Sequence, residues 1–148
     1  TRVRSSAASD VYKRQVVNAV GDVIDPGTQQ VVAGTRNPGG NGFTNPFSNT
    51  TIAVIATNAA LSKEGVNKVA QMAHDGMAQA LRPAHTMNDG DTVFALALGS
   101  RSQLLLDPNL SALQINTIGA AAATTLARAI VKAVRNATDL HGVPTAGL

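Results

Sequence analysis

At Asn49 a polar loop stops and an apolar run begins at once, Thr51-Ile52-Ala53-Val54-Ile55-Ala56-Thr57. Seven residues without alternation are too uniformly apolar for a half-exposed strand, so they predict a buried one. A buried strand needs packed layers around it, which points to an α/β arrangement. The junction also sets Thr50 at the mouth of that strand. If the Asn49–Thr50 bond were cut, Thr50 would carry a hydroxyl and a free α-amino group, a nucleophile and a base on one residue.

The flanking pattern fills in the layers. Val16 to Val23 reads as a strand, Asp25-Pro26-Gly27-Thr28 as a turn and Val31-Val32-Ala33 as a short returning strand. Gly34 to Asn49 mixes Gly, Pro, Asn and Thr with two Phe and no period, so it reads as a surface loop. Ser62 is placed as a helix N-cap with Glu64 in the first turn, where the helix dipole favours an acid. Val66, Val69, Ala70, Ala73, Met77 and Leu81 follow at helical spacing until Arg82-Pro83. Pro83 to Asp91 reads as a loop, Thr92 to Leu98 as a third buried strand, and Leu110 to Asn136 as a long helix. No internal repeat is present.

Charge needs a correction before it is interpreted. Residues 1–15 end in Ser9-Asp10-Val11-Tyr12-Lys13-Arg14-Gln15, which resembles the conceptual translation of a transposon-end sequencing adapter, a familiar contaminant of metagenomic reading frames. The competing account is a genuine disordered basic arm. Arg2, Arg4, Lys13 and Arg14 against Asp10 give the segment a net +3, the net charge of the whole 148-residue chain. From Val16 onward, basic and acidic residues balance at eight each. The basic excess therefore argues for neither nucleic acid nor an anionic membrane as partner. With no cysteine there is no disulfide framework and no thiolate metal site. No apolar run approaches the ~18 residues of a membrane span. An artefactual start would leave the true N-terminus, and any signal peptide, out of view; the expected location is the cytoplasm.

Four blocks carry a family resemblance: Asn18 to Val23, Asn49 to Ala59, Ser62 to Ala70 and Asp89 to Ala95. In order and in register they resemble the DmpA-like family of L-aminopeptidase/D-esterases, β-aminopeptidases and nylon-oligomer hydrolases. The resemblance implies an αββα sandwich and a precursor that cleaves itself before a Thr or Ser, leaving a large and a small subunit together. Here the cut falls between Asn49 and Thr50. Residues 16–49 would then end the large subunit and residues 50–148 form the small one. The Asn-Thr junction and paired aspartates are closest to the nylon-hydrolase branch.

On that resemblance the site comprises Thr50 as nucleophile, Asp89 and Asp91 beside it, and Asn18. Read alone, Asp89-Gly90-Asp91 is a turn before a strand. It fits no EF-hand, which needs a Gly at its sixth and a Glu at its twelfth position. The family places the two carboxylates where they can hydrogen-bond the Thr50 hydroxyl and hold its ammonium. Asn18 would offer an amide N–H to the tetrahedral oxyanion, a contact worth roughly 3–4 kcal/mol in acyl transfer.

Other features carry no chemistry. His74, His85 and His141 match no zinc spacing, so no metal is expected, and no cofactor is implied. Gly39-Gly40-Asn41-Gly42 is not followed by a helix and is no phosphate loop. Met72 and Met77 read as core. The family's large subunit begins well before Val16 and supplies a further Lys or Tyr that this sequence does not contain, so the chain is expected to be an N-terminally truncated fragment.

The expected activity is amide hydrolysis, on short peptides, β-peptides or ω-amino-acid oligomers, by a homo-oligomer of cleaved protomers. The small residues Ala120 to Thr125 in the last helix suit burial on more than one side. The alternatives are an acyltransferase of the glutamate N-acetyltransferase type, or an inactive fragment serving only as a folded module.

Overall fold

The computed structural model describes residues 3–4, 10–34, 49–87 and 89–138. Among these described residues, seven strands and two long helices follow in the order β1 (Val3–Arg4), β2 (Asp10–Val16), β3 (Asp22–Ile24), β4 (Val31–Ala33), β5 (Ile52–Thr57), α1 (Lys63–Ala80), β6 (Leu81–Arg82), β7 (Thr92–Ala97) and α2 (Pro108–Arg135). They form a mixed α/β structure with a four-stranded sheet, β1-β2-β5-β7, and a three-stranded sheet, β4-β3-β6. Residues 35–48, which hold most of the expected Gly34–Asn49 loop, and His141 lie outside the described residues.

The strand expected over Val16 to Val23 is in fact two. β2 ends at Val16, β3 starts at Asp22, and Val17 to Gly21 leave the ladder. Between them the chain passes from the four-stranded sheet to the three-stranded one, and the Thr50 N–H donates to the Asn18 carbonyl at 2.9 Å in the same register as β2 against β5. β2 pairs antiparallel with β5 from Val11↔Thr57 to Val16↔Ile52, and so takes in residues read as adapter-derived. Strand pairing is a main-chain bond and is open to most side chains, so it does not address the origin of that segment.

The helices start and stop for visible reasons. The Ser62 hydroxyl caps α1 by accepting the Gly65 N–H at 3.2 Å. Asp107 caps α2 by accepting the N–H of Asn109 at 2.8 Å and of Leu110 at 3.3 Å. Pro108 fits the first helical turn, where its missing N–H costs nothing, so α2 begins two residues earlier than the apolar period suggests. By length and composition α2 could cross a bilayer. Its apolar stripe of Ile118, Ala122, Leu126 and Ile130 is instead packed into the core with Val69, Ala73 and Met77 of α1 and Ala53, Ile55 and Val93 of the sheet.

The expectation that β5 and β7 are buried throughout does not hold among the described residues. Both helices pack on one face of the sheet. On the other, Ile52, Phe94 and Leu96 are each about half exposed, at 45%, 56% and 51%, and Leu98 beyond β7 reaches 72%. An apolar run therefore marks a strand with two apolar faces, only one of which these helices cover.

The two helices cross closely at Gly76. A Cβ placed there would lie 2.3 Å from the Ala123 carbonyl oxygen, a backbone atom that cannot swing aside. Gly76→Ala is therefore expected to destabilise the fold by about 1–3 kcal/mol, the usual cost of overpacking, despite the ~1 kcal/mol helix-propensity gain of alanine over glycine. Chemical denaturation checks this; a stabilised variant would contradict the close crossing.

Candidate active site

β5 and β7 are parallel, with Ile52 opposite Thr92, and the pairing continues upstream as an isolated bridge between Asn49 and Asp89. Two segments forty residues apart are thus laid side by side, residues 49–51 against 89–91. The ladder reaches into the site through two bonds: Thr92 N–H donates to the Thr51 carbonyl at 2.9 Å and Gly90 N–H donates to the Asn49 carbonyl at 3.2 Å.

Thr50 is partly buried at the centre of this arrangement. Its hydroxyl donates to the carbonyl oxygen of Asn49, the residue before it, at 2.8 Å. That carbonyl therefore receives two donors, one from the nucleophile candidate and one from the Gly90 main chain. Gly90 is not there for a left-handed backbone. A Cβ on it would sit 2.5 Å from Thr50 Oγ1, so glycine keeps space open for the hydroxyl.

The remaining expected residues are brought to the same place with different contacts. Asn18 reaches Thr50 through its main-chain carbonyl, which accepts the Thr50 N–H at 2.9 Å. Asp91 Oδ1 accepts the Thr51 N–H at 2.9 Å, one residue beyond the nucleophile. Asp89 Oδ2 accepts from both the N–H and the hydroxyl of Thr86, at 2.8 and 2.9 Å, and so ties down its own loop. The departure has a physical reason. While the Asn49–Thr50 bond is intact, Thr50 has an amide N–H and no ammonium for the carboxylates to hold, and its hydroxyl has a carbonyl acceptor beside it.

Sequence reasoning weighed His85 only as a metal ligand. In the structure His85 Nδ1 stands 3.4 Å from Asp91 Oδ2, and the Asp91 side chain is 4% exposed. His74, from α1, faces the His85 ring at 5.1 Å between centroids. Partial burial, then the charge on His85, lower the His74 pKa below its ordinary 6.5. The only available signal for His85 was its place in the loop leading to Asp89-Gly90-Asp91. No group of three His, Asp or Glu side chains is placed to hold a metal among the described residues. A cavity of ≈510 Å³ lies elsewhere, between the Pro26 turn and the end of α2, lined in part by Arg128, Lys132 and Arg135.

A threonine hydroxyl poised on the preceding carbonyl, with a main-chain N–H on the same oxygen and carboxylates next to it, is an arrangement suited to acyl transfer. The chain belongs to peptidase family S58, whose profile matches residues 6–146. It is similar to an uncharacterized aminopeptidase of Mycobacterium bovis, 41% identical over 157 residues that cover 88% of this chain and 45% of the relative. An uncharacterized aminopeptidase of Mycobacterium leprae is 38% identical, over 88% of this chain and 41% of the relative. A 6-aminohexanoate-oligomer endohydrolase of a Kocuria strain is 44% identical over 48 residues, 32% of this chain and 14% of that protein. The chain spans less than half the length of these relatives.

The close approach at Gly90 can be tested by a double-mutant cycle. Gly90→Ala is expected to cost about 1–3 kcal/mol of stability through overpacking. Most of that cost should disappear in a Thr50→Ala background, where the clashing oxygen is gone, because substitutions at residues in contact couple. Equal costs in both backgrounds, by urea denaturation, would contradict the contact.

Proposed function

We propose that the protein carrying this chain is a self-processing amide hydrolase whose nucleophile is Thr50, released by cleavage of its own Asn49–Thr50 bond. The observation that carries this reading is the doubly bonded Asn49 carbonyl, which meets the Thr50 hydroxyl at 2.8 Å and the Gly90 N–H at 3.2 Å. Thr50 Oγ1 attacks the Asn49 carbonyl carbon, and its hydroxyl proton is the one passed on to the departing Thr50 nitrogen. The Gly90 N–H stabilises the oxyanion. The carbon–nitrogen bond then breaks as the Thr50 nitrogen takes a proton, leaving an ester and a free amine. Water hydrolyses the ester, yielding an Asn49 carboxylate and a Thr50 with a free hydroxyl and α-amine.

The same hydroxyl then attacks substrate amides. The α-amine accepts its proton and passes one to the leaving amine, and water releases the acyl group from the ester. The reading assigns Asp89 and Asp91, on the adjoining segment, to hold the new ammonium once the cut creates it. The reading divides the chain at that bond, residues 16–49 closing the large subunit and residues 50–148 making up the small one, with residues 1–15 adapter-derived.

Two exposed apolar surfaces support a larger assembly. The uncovered face of β5 and β7, with Ile52, Phe94 and Leu96, fits the second sheet of an αββα sandwich supplied by chain that precedes this segment. Leu106, Leu110 and Leu113, exposed at the start of α2, fit a contact between protomers. The substrate class proposed is small neutral or aminoacyl amides, from peptide N-termini to ω-amino-acid oligomers. The mycobacterial aminopeptidases favour the former, and the shorter match to the oligomer endohydrolase favours the latter.

Expressed from the complete reading frame, the protein is expected to hydrolyse aminoacyl p-nitroanilides or 6-aminohexanoate oligomers. Thr50→Ala should lower kcat/KM at least about a thousandfold, the scale on which loss of a catalytic nucleophile is felt. Undiminished hydrolysis by a folded Thr50→Ala variant would overturn the assignment, and activity confined to α-L-aminoacyl substrates would exclude the oligomers.

A further inference from the structure

The Asp91 carboxylate is bonded to the N–H of the residue after Thr50, and its side chain is almost fully buried. A buried carboxylate needs partners for both oxygens. Oδ1 has the Thr51 N–H at 2.9 Å, and Oδ2 faces His85 Nδ1 at 3.4 Å. The other ring nitrogen of His85, Nε2, stands 3.3 Å from the main-chain oxygen of His74. Both nitrogens thus face oxygens that can only accept. A neutral imidazole carries one N–H and could serve one of them; an imidazolium carries two and serves both. The backbone at His85 has a φ of 57°, a left-handed conformation uncommon outside glycine.

We propose that His85, as an imidazolium bridging the His74 carbonyl and the Asp91 carboxylate, is a positioning residue for the Thr50 site. It fixes Asp91, Asp91 fixes the Thr51 N–H, and that bond sets the strand mouth from which the Thr50 hydroxyl reaches the Asn49 carbonyl. The inference rests on the self-cleavage reading and adds to it the group that holds the site in register. The titratable groups that contact the ring are Asp91, on the loop into β7, and His74 on α1, which in turn feels the charges of Asp91 and Asp75.

The test uses the same backbone feature. A φ of 57° suits glycine, so His85→Gly removes the ring without opposing the local conformation. His85→Asn, whose short side chain also tolerates that region, serves as the second variant if the glycine form does not fold. The rate of cleavage at Asn49–Thr50 is followed by mass spectrometry across pH, for wild type and variants whose circular dichroism matches it. Wild type is expected to slow on the alkaline side, because the bridge needs both ring N–H groups. His85→Gly should cleave at least tenfold more slowly at neutral pH, lack that alkaline limb, and recover when imidazole is added under conditions that keep imidazole protonated. A folded variant that cleaves at the wild-type rate, or one that keeps the wild-type alkaline limb, would overturn the positioning role while leaving self-cleavage intact. Wild-type protein that never cleaves would instead remove the reading on which the proposal rests.

Discussion

The candidate site depends on one constraint, the parallel pairing of β5 with β7 in a single register. Ile52 opposite Thr92 fixes Thr50 opposite Gly90 and Asn49 opposite Asp89. Parallel strands must be joined by a long crossover, which here includes α1, so their starting ends lie at the same edge of the sheet. Chemistry-bearing residues placed just before each strand are therefore neighbours in space although forty positions apart in the chain. A slip of one residue would turn every side chain of β5 to the opposite face and separate Thr50 from Gly90. The apolar inner faces of the strands, Ala53, Ile55 and Val93 against α1 and α2, hold that register.

Burial converts this placement into a defined electrostatic arrangement. Thr51 is fully buried and Asp91 nearly so, so the bond between them is shielded from water and fixes the residue next to the nucleophile. The Asn49 carbonyl is held by the main chain on one side and the Thr50 hydroxyl on the other, an arrangement that needs no ordering at the moment of reaction. The carboxylates are occupied in the uncut chain by Thr51, Thr86 and His85. Their expected role toward an ammonium belongs to a chemical state that only cleavage produces.

Much of this was legible in the sequence, and the failures are informative. The turn at Asp25, the strand at Val31, the helix capped by Ser62 and the strand from Thr92 follow from local rules of capping, turn chemistry and periodicity. Asn49, Thr50, Asp89 and Asp91 were singled out, and the structure brings them together. The break between Val16 and Asp22 was missed because the chain changes sheets there, which a local strand-like run does not report. The exposed face of β5 was missed because composition reports how apolar a strand is, not what lies over it. His85 carried no motif: its significance comes from Asp91 and His74, one six and the other eleven residues away, and from a left-handed φ that nothing in the sequence announces.

The central claim is that Thr50 becomes a chain N-terminus by the protein's own action. The most direct measurement is N-terminal sequencing together with intact-mass analysis of the purified protein from the complete reading frame. The account predicts two chains that co-purify, one ending at Asn49 and one beginning with Thr50-Thr51-Ile52. A single uncut chain in folded protein, or a cut at any other bond, would contradict it.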